Sequence, residues 1–189
     1  MIHAFISGIP ASGKSYLASR VTKNIGIRHM TIDDWREEFC NDPELKKWVN
    51  FFSDKNEVEY WQATNCEKHW ENLKKQSKAL WPAFLKQIKE IQSTGKPTLF
   101  EGVNILPHLA KKDLDFQGIF LLGKSWEEIF ERNKLEPRWG MSEKLQKKEA
   151  EVFYSCEGPM YKKEAEQYGY KTFTNIEEAE QELLKMLTK

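Results

Sequence analysis

The sequence predicts an α/β fold, an open parallel β-sheet with helices on both faces. Three observations carry this. Five short strand-like runs alternate with stretches of helical periodicity, the order that parallel strands joined by right-handed crossovers require. The first run leads straight into a glycine-bounded loop and then a helix-prone segment. The length, 189 residues, suffices for one substantial core, so a single domain over 1–189 with an inserted segment accounts for the chain.

The first predicted strand is Ile2 to Ser7, followed by Gly8-Ile9-Pro10-Ala11-Ser12-Gly13-Lys14-Ser15 and the helix-prone Tyr16 to Val21. Strand, glycine loop closing on Gly-Lys-Ser, and helix are the three parts of a P-loop. Gly8 and Gly13 permit backbone conformations that aim successive N–H groups at phosphate oxygens, and the helix adds the positive end of its dipole. The predicted nucleotide contacts are therefore Gly8, Ala11, Ser12, Gly13, Lys14, Ser15 and Tyr16. Lys14 reaches for the β- and γ-phosphates, and the Ser15 hydroxyl for a Mg²⁺ that bridges them.

The first helix should end near Asn24 to Gly26. Arg28 to Asp33 reads as the second strand, with Asp33 and Asp34 emerging at its carboxyl end, where ligands bind in open parallel sheets. One of the two should cap the next helix and the other, Asp33, should serve function. From Glu37 to Ser93 the chain reads as a helical insert rich in aromatic residues, most of them packing on one another and one or two lining a pocket. Trp81, Phe84, Leu85, Ile88 and Ile91 fall at helical spacing, with Pro82 in a first turn.

Gly95-Lys96-Pro97 breaks that helix, and Thr98 to Val103 is a short buried strand carrying Glu101 near its end. A brief helix follows over Asn104 to Lys112, with Pro107 near its start. Ile119 to Leu122 is the fourth strand, then Ser125 as an N-cap with Glu127 and Glu128 in the first turn. Arg132 and Arg138, separated by the helix-ending Pro137, place guanidinium groups at a helix end and in the loop beyond, a region of about 132–150 suited to a closing lid. Ser142 to Glu157 reads as a Lys- and Glu-rich helix broken by Gly158-Pro159, with more helix to Tyr168. Tyr170 to Thr174 is the last strand, and Asn175 caps the terminal helix with Glu178 three residues on.

Twenty-nine basic residues balance twenty-nine acidic ones, so no broad field draws nucleic acid or an acidic membrane. No apolar run nears the ~18 residues that span a bilayer, and a soluble, cytoplasmic protein is expected. Cys40, Cys66 and Cys156, odd in number and widely spaced, predict free thiols in a reducing compartment. Cys66 and His69 share a helix face as half of a metal site would, but no second half is visible and a packed pair is the simpler reading.

Gly8 to Ser15, Asp33-Asp34, Glu101-Gly102 and Arg132 with Arg138 together resemble a small P-loop kinase of the adenylate-kinase-like group, which includes shikimate and gluconate kinases. The resemblance covers nearly the whole chain except the insert, about 37–93. It implies the three-layer P-loop NTPase sandwich with strand order 2-3-1-4-5, ATP with Mg²⁺, and transfer of the γ-phosphoryl group to a small hydroxyl-bearing acceptor. Asp33 matches the acid that positions or deprotonates that hydroxyl, with Asp34 next in line. Arg132 and Arg138 match the lid arginines, which neutralise charge on the transferring group. Glu101 sits where the third strand often presents an Asp-containing motif. Glu is a departure there, and it can still bind the metal through water, with Asn104 a second polar candidate beside it.

A narrower likeness is to polynucleotide 5′-hydroxyl kinases, through the run Asp33-Asp34-Trp35-Arg36, which implies Arg36 as a contact to a substrate phosphate. The neutral charge balance speaks against a long anionic substrate. A third reading is a nucleotide-gated switch whose aromatic insert binds a protein. An exposed apolar patch on the insert would favour the switch, and a polar pocket facing Asp33 would favour the kinase.

Overall fold

The structure is a computed structural model in which residues 3–188 are described. The expected strand start at Ile2 lies outside that range. In chain order the elements begin with β1 (His3–Gly8), α1 (Lys14–Ile25), β2 (Arg28–Thr31), a 3-10 turn (Ile32–Trp35), α2 (Arg36–Phe39), α3 (Pro43–Val49), α4 (Glu57–Ala63) and α5 (Cys66–Ser93). They continue with β3 (Thr98–Glu101), α6 (Pro107–Asp113), β4 (Gly118–Leu121), α7 (Trp126–Leu135), α8 (Glu143–Val152), a π-helical turn (Phe153–Glu157), α9 (Gly158–Gln167), β5 (Lys171–Phe173) and α10 (Ile176–Leu187).

The five strands form one parallel sheet in the order β2-β3-β1-β4-β5, as the resemblance implies. Side chains alternate across a strand, so the sheet has two unlike faces. Ala4, Ile6, Leu99, Ile119 and Leu121 point to an aliphatic layer closed by Leu17 and Val21 of α1 and Leu183 of α10. Phe5, Phe100 and Phe120 point the other way, into a larger core with Trp70, Trp81 and Phe84 of α5 and Tyr161 of α9. The predicted caps form: Ser125 accepts from Glu128 N–H and Asn175 from Glu178 N–H. Gly26 ends α1 in the left-handed conformation.

Four expectations are corrected. Pro82 does not open a helix but sits inside the 28 residues of α5. It lies on the exposed face, where the carbonyl its ring frees one turn back can meet water, while Leu80, Trp81 and Phe84 stay buried on the other. Gly158-Pro159 does not break the helix either. The wide turn at Phe153–Glu157 carries the chain into α9, where Pro159 occupies the first turn and its missing N–H is not needed. The second strand stops at Thr31, so Asp33 stands in the 3-10 turn, and neither aspartate provides a side-chain cap. Finally, Cys66 and Cys156 are joined in a disulfide across 90 positions, and Cys40 alone is free. The argument for a reducing compartment rested on three free thiols and loses its basis. No helix among the described residues is long and apolar enough to cross a membrane.

Candidate functional site

The loop after β1 takes left-handed backbone at Gly8 (φ 123°), Ala11 (φ 54°) and Gly13 (φ 98°). A Cβ at Gly8 would collide with the backbone of Leu121 on β4, so only glycine fits beside that strand. Ala11 adopts its conformation at a cost, a strain of the kind stored at binding loops. Ser12 Oγ and Lys14 Nζ both donate to the Ile9 carbonyl, at 2.9 and 2.6 Å, which pins the side chain of Lys14 along the loop. Burial lowers the pKa of Lys14, opposed by the nearby carboxylates of Glu101 and Asp33. Tyr16, at 61% exposure, stands on the outer wall of the loop helix with Arg20 over its ring.

Glu101, at the carboxyl end of β3, is buried and accepts a hydrogen bond from Ser15 Oγ at 3.2 Å. Burial raises its pKa, and Lys14 pulls it back. Among the described residues no group of three or more His, Cys, Asp or Glu side chains could hold a metal. The chain offers two adjacent oxygens here, from Ser15 and Glu101. That suits Mg²⁺, which takes one or two protein ligands and completes its shell with phosphate and water.

Asp33 faces the same space from the 3-10 turn. Its Oδ2 accepts from Val103 N–H at 3.4 Å, and its Oδ1 lies 3.2 Å from the Arg36 guanidinium. Arg36 also donates to Asn104 Oδ1, and Asn104 Nδ2 donates to Ser77 Oγ of α5 at 2.7 Å. Asn104 is fully buried and stands behind Arg36 rather than in the open site. Arg132, on α7, donates to the carbonyls of Ala11 (3.4 Å) and Ser12 (3.0 Å) and pairs with Glu128 at 3.3 Å. Arg138, in the loop after α7, pairs with Glu136 at 3.2 Å.

These residues border one cavity of about 1050 Å³. At one end it is walled by Ala11, Gly13, Lys14, Ser15 and Tyr16, with Arg132 and Arg138 at the rim. Asp33, Asp34, Arg36 and Glu101 stand midway, and the far end is walled by Phe52, Trp61, His69, Gln76, Trp139 and Glu157. Gly8, Ser12 and Asn104 do not line it. The far end holds groups to which sequence reasoning gave no role in the site. Tyr60 OH lies 2.8 Å from His69 Nδ1, and His69 Nε2 lies 2.7 Å from Glu157 Oε1. His69 is thus a packed histidine with two polar neighbours, and Cys66 is spent in the disulfide, so the half metal site is not one.

No protein-family sequence model matches the chain, and no curated protein matches it in sequence. Solved structures do match in fold. Shikimate kinase from Acinetobacter baumannii, in complex with shikimate, aligns at TM-score 0.58 and 12% identity over 100% of this chain and 93% of that one. Shikimate kinase from Bacteroides thetaiotaomicron aligns at 0.56 and 14% identity, covering 100% and 99%. Deoxyadenosine kinase from M. mycoides with bound dATP aligns at 0.53 and 14% identity, covering 100% of both. At these identities the likeness shows the fold, which is that of the small P-loop kinases of the adenylate-kinase-like group.

Proposed function

We propose that the protein is an ATP-dependent phosphotransferase that moves the γ-phosphoryl group to a hydroxyl of a small acceptor. The observation that carries this is one cavity of about 1050 Å³ lined by the glycine loop, by Asp33 and by side chains of the insert. In this reading the loop N–H groups and Lys14 hold the β- and γ-phosphates. Ser15 and Glu101 hold Mg²⁺, which when bound neutralises charge on the phosphate oxygens. Asp33, fixed by Arg36 and the Val103 N–H, orients the acceptor hydroxyl and takes its proton. Arg132 and Arg138 neutralise the transferring group, and the segment about 132–150 closes as a lid over the insert-built acceptor site, about 37–93.

The cavity facing Asp33 favours this reading over a nucleotide-gated switch. Among the described residues Val58 is the exposed large apolar side chain of the insert, and it borders an open groove shared with Trp61, Trp126 and Leu145, which is the surface a switch would have to use and which does not include Asp33. The test is ADP formation by purified protein with Mg²⁺ and ATP, against a pooled set of hydroxylated metabolites and, separately, short 5′-hydroxyl oligonucleotides. Stimulation by the metabolites, absent in Lys14→Ala, is the expected outcome. Stimulation by oligonucleotides alone would move the assignment to a 5′-hydroxyl kinase, and binding without stimulated turnover would move it to the switch.

A further inference from the structure

The far end of the cavity contains a carboxyl group with an unused oxygen. Glu157 closes the π-helical turn, is only 3% exposed, and lines the cavity. Its Oε1 is bonded to His69, while its Oε2 has no partner among the described residues. A buried oxygen of this kind is costly unless something donates to it. The neighbouring donor, His69 Nε2, is already committed to the other oxygen, Oε1.

The partners of His69 set the direction of the hydrogen-bond chain. A carboxylate only accepts, so the His69 nitrogen facing Glu157 Oε1 is the donor, and His69 Nδ1 accepts from Tyr60 OH, which itself accepts from Asn72 Nδ2 at 3.2 Å. That assigns the proton to His69 Nε2, which then donates to Glu157 Oε1. Donors run from Asn72 through Tyr60 and His69 to a carboxylate whose second oxygen remains open. π-Helical turns recur where a side chain has to be re-aimed at a site.

Each cation that lines the cavity already has a partner. These cations are Lys14, Arg36, Arg132 and Arg138. Lys14 and Arg132 lie on the glycine loop, Arg36 pairs with Asp33, and Arg138 pairs with Glu136. The walls beside Glu157 are the aromatic rings of Phe52, Trp61 and Trp139, with the carboxyl of Glu149. Ring faces and carboxylates both attract cations. Lys14 is within electrostatic reach of Glu157, but its Nζ is bound to the Ile9 carbonyl and Arg138 pairs with Glu136, so an acidic acceptor would meet Glu157 with both of these cations already engaged.

Resting on the acceptor-site reading above, we propose that the acceptor is an alcohol bearing a basic nitrogen, whose ammonium group donates to Glu157 Oε2 while its hydroxyl faces Asp33. The transfer is then ordinary phosphoryl chemistry. The bond from the γ-phosphorus to the bridging oxygen of ATP breaks, the acceptor oxygen bonds to phosphorus, its proton passes to Asp33, and ADP leaves.

The test uses three matched rings: trans-4-aminocyclohexanol, cyclohexane-1,4-diol and 4-hydroxycyclohexanecarboxylic acid. Binding of each to the full chain is measured by calorimetry without nucleotide, and phosphorylation is then measured by ADP release with Mg²⁺ and ATP. The amine should bind about tenfold or more tightly than the diol, with the acid weakest. Glu157→Gln should lower amine affinity by about tenfold, well beyond any loss for the diol. Amine binding without phosphorylation of any probe would sink the kinase reading and leave the ammonium subsite standing. Phosphorylation of the acid or diol in preference to the amine would sink the subsite and leave the kinase standing. Failure of the wild-type protein to bind the amine at millimolar concentration overturns the proposal without recourse to the variant, should Glu157→Gln not fold.

Discussion

The two ends of the cavity are built in opposite ways. The end proposed to bind phosphate is one contiguous stretch, Gly8 to Ser15, which would work mainly through backbone N–H groups and is held against β4 by the close approach at Gly8. The far end is assembled from side chains on separate elements: His69 and Gln76 on α5, Trp61 on α4, and Glu157, which meets His69 across 88 positions. Phosphates are alike in every nucleotide, so one loop geometry serves them all. Acceptors differ, and only side chains brought together by the tertiary fold can distinguish them.

The sharpest way to break the comparison is at the contiguous end. Lys14→Ala should reduce acceptor-stimulated ADP formation on the order of 10³-fold, since a buried charge is lost where phosphoryl charge shifts. The melting temperature should change little. Nζ is held to a carbonyl of its own loop, and the lowered Lys14 pKa shows that burying this ammonium is not itself favourable. A variant retaining more than about a tenth of the activity would remove Lys14 from the proposed machinery.

The assembled end should instead be vulnerable to loss of a long-range tie. The disulfide fixes Cys66, one turn before His69, to Cys156, adjacent to Glu157. Closing a loop of 90 positions restricts the unfolded chain, and Cys66→Ser should cost about 4 kcal/mol in urea unfolding. Its effect on amine binding should exceed its effect on ATP binding. Equal losses of both would show that the two ends do not depend on separate supports.

Asp33→Asn probes the junction between the ends. Turnover should fall on the order of 10²-fold with the Kd for ATP unchanged, because Asp33 stands beyond the loop proposed to hold the phosphates. Loss of ATP affinity in this variant would place Asp33 on the nucleotide side.

The same contrast explains what the sequence made legible. The phosphate loop was readable because its glycine spacing, Lys14 and Ser15 are adjacent, and the five strands because each strand-like run is local. The sheet order came only through the family resemblance. Glu157 was unreadable, since nothing near it in the chain identifies His69 as its partner. Three polar residues, His69, Gln76 and Ser77, interrupt the buried stripe of Trp70, Leu73, Leu80 and Phe84, and they were a local signal of a site. The disulfide was hidden for the same reason as Glu157. A separation of 90 positions leaves no pattern in the sequence.

The smallest expected effect lies where the lid meets the far end. Glu149 accepts from Gly140 N–H at 2.6 Å and from Asn133, while Glu57 accepts from Trp61 Nε1 at 2.8 Å beside it. Burial first, with Glu149 adding to it, raises the Glu57 pKa to about 7 from the ordinary 4.5. The folded chain therefore keeps a proton that the unfolded chain has released between those values. Stability on this account is greatest below pH 4.5, falls as pH rises through 7, and is level above. Unscreened, the full penalty would be about 3 kcal/mol, and solvent screening at this partly solvated carboxyl reduces it. Glu57→Gln can still accept from Trp61 and can donate to Glu149, without a charge to desolvate. It should therefore be more stable than the wild-type protein at pH 8 and close to it at pH 5, read as the difference between urea midpoints at the two pH values. The gain should be confined to alkaline solution, where Glu57 would otherwise ionise beneath Gly140 and loosen the loop carrying Arg138 and Trp139. A wild-type protein whose midpoint, relative to the variant, is the same at both pH values would show that Glu57 ionises freely and that this loop is not held by a shared proton.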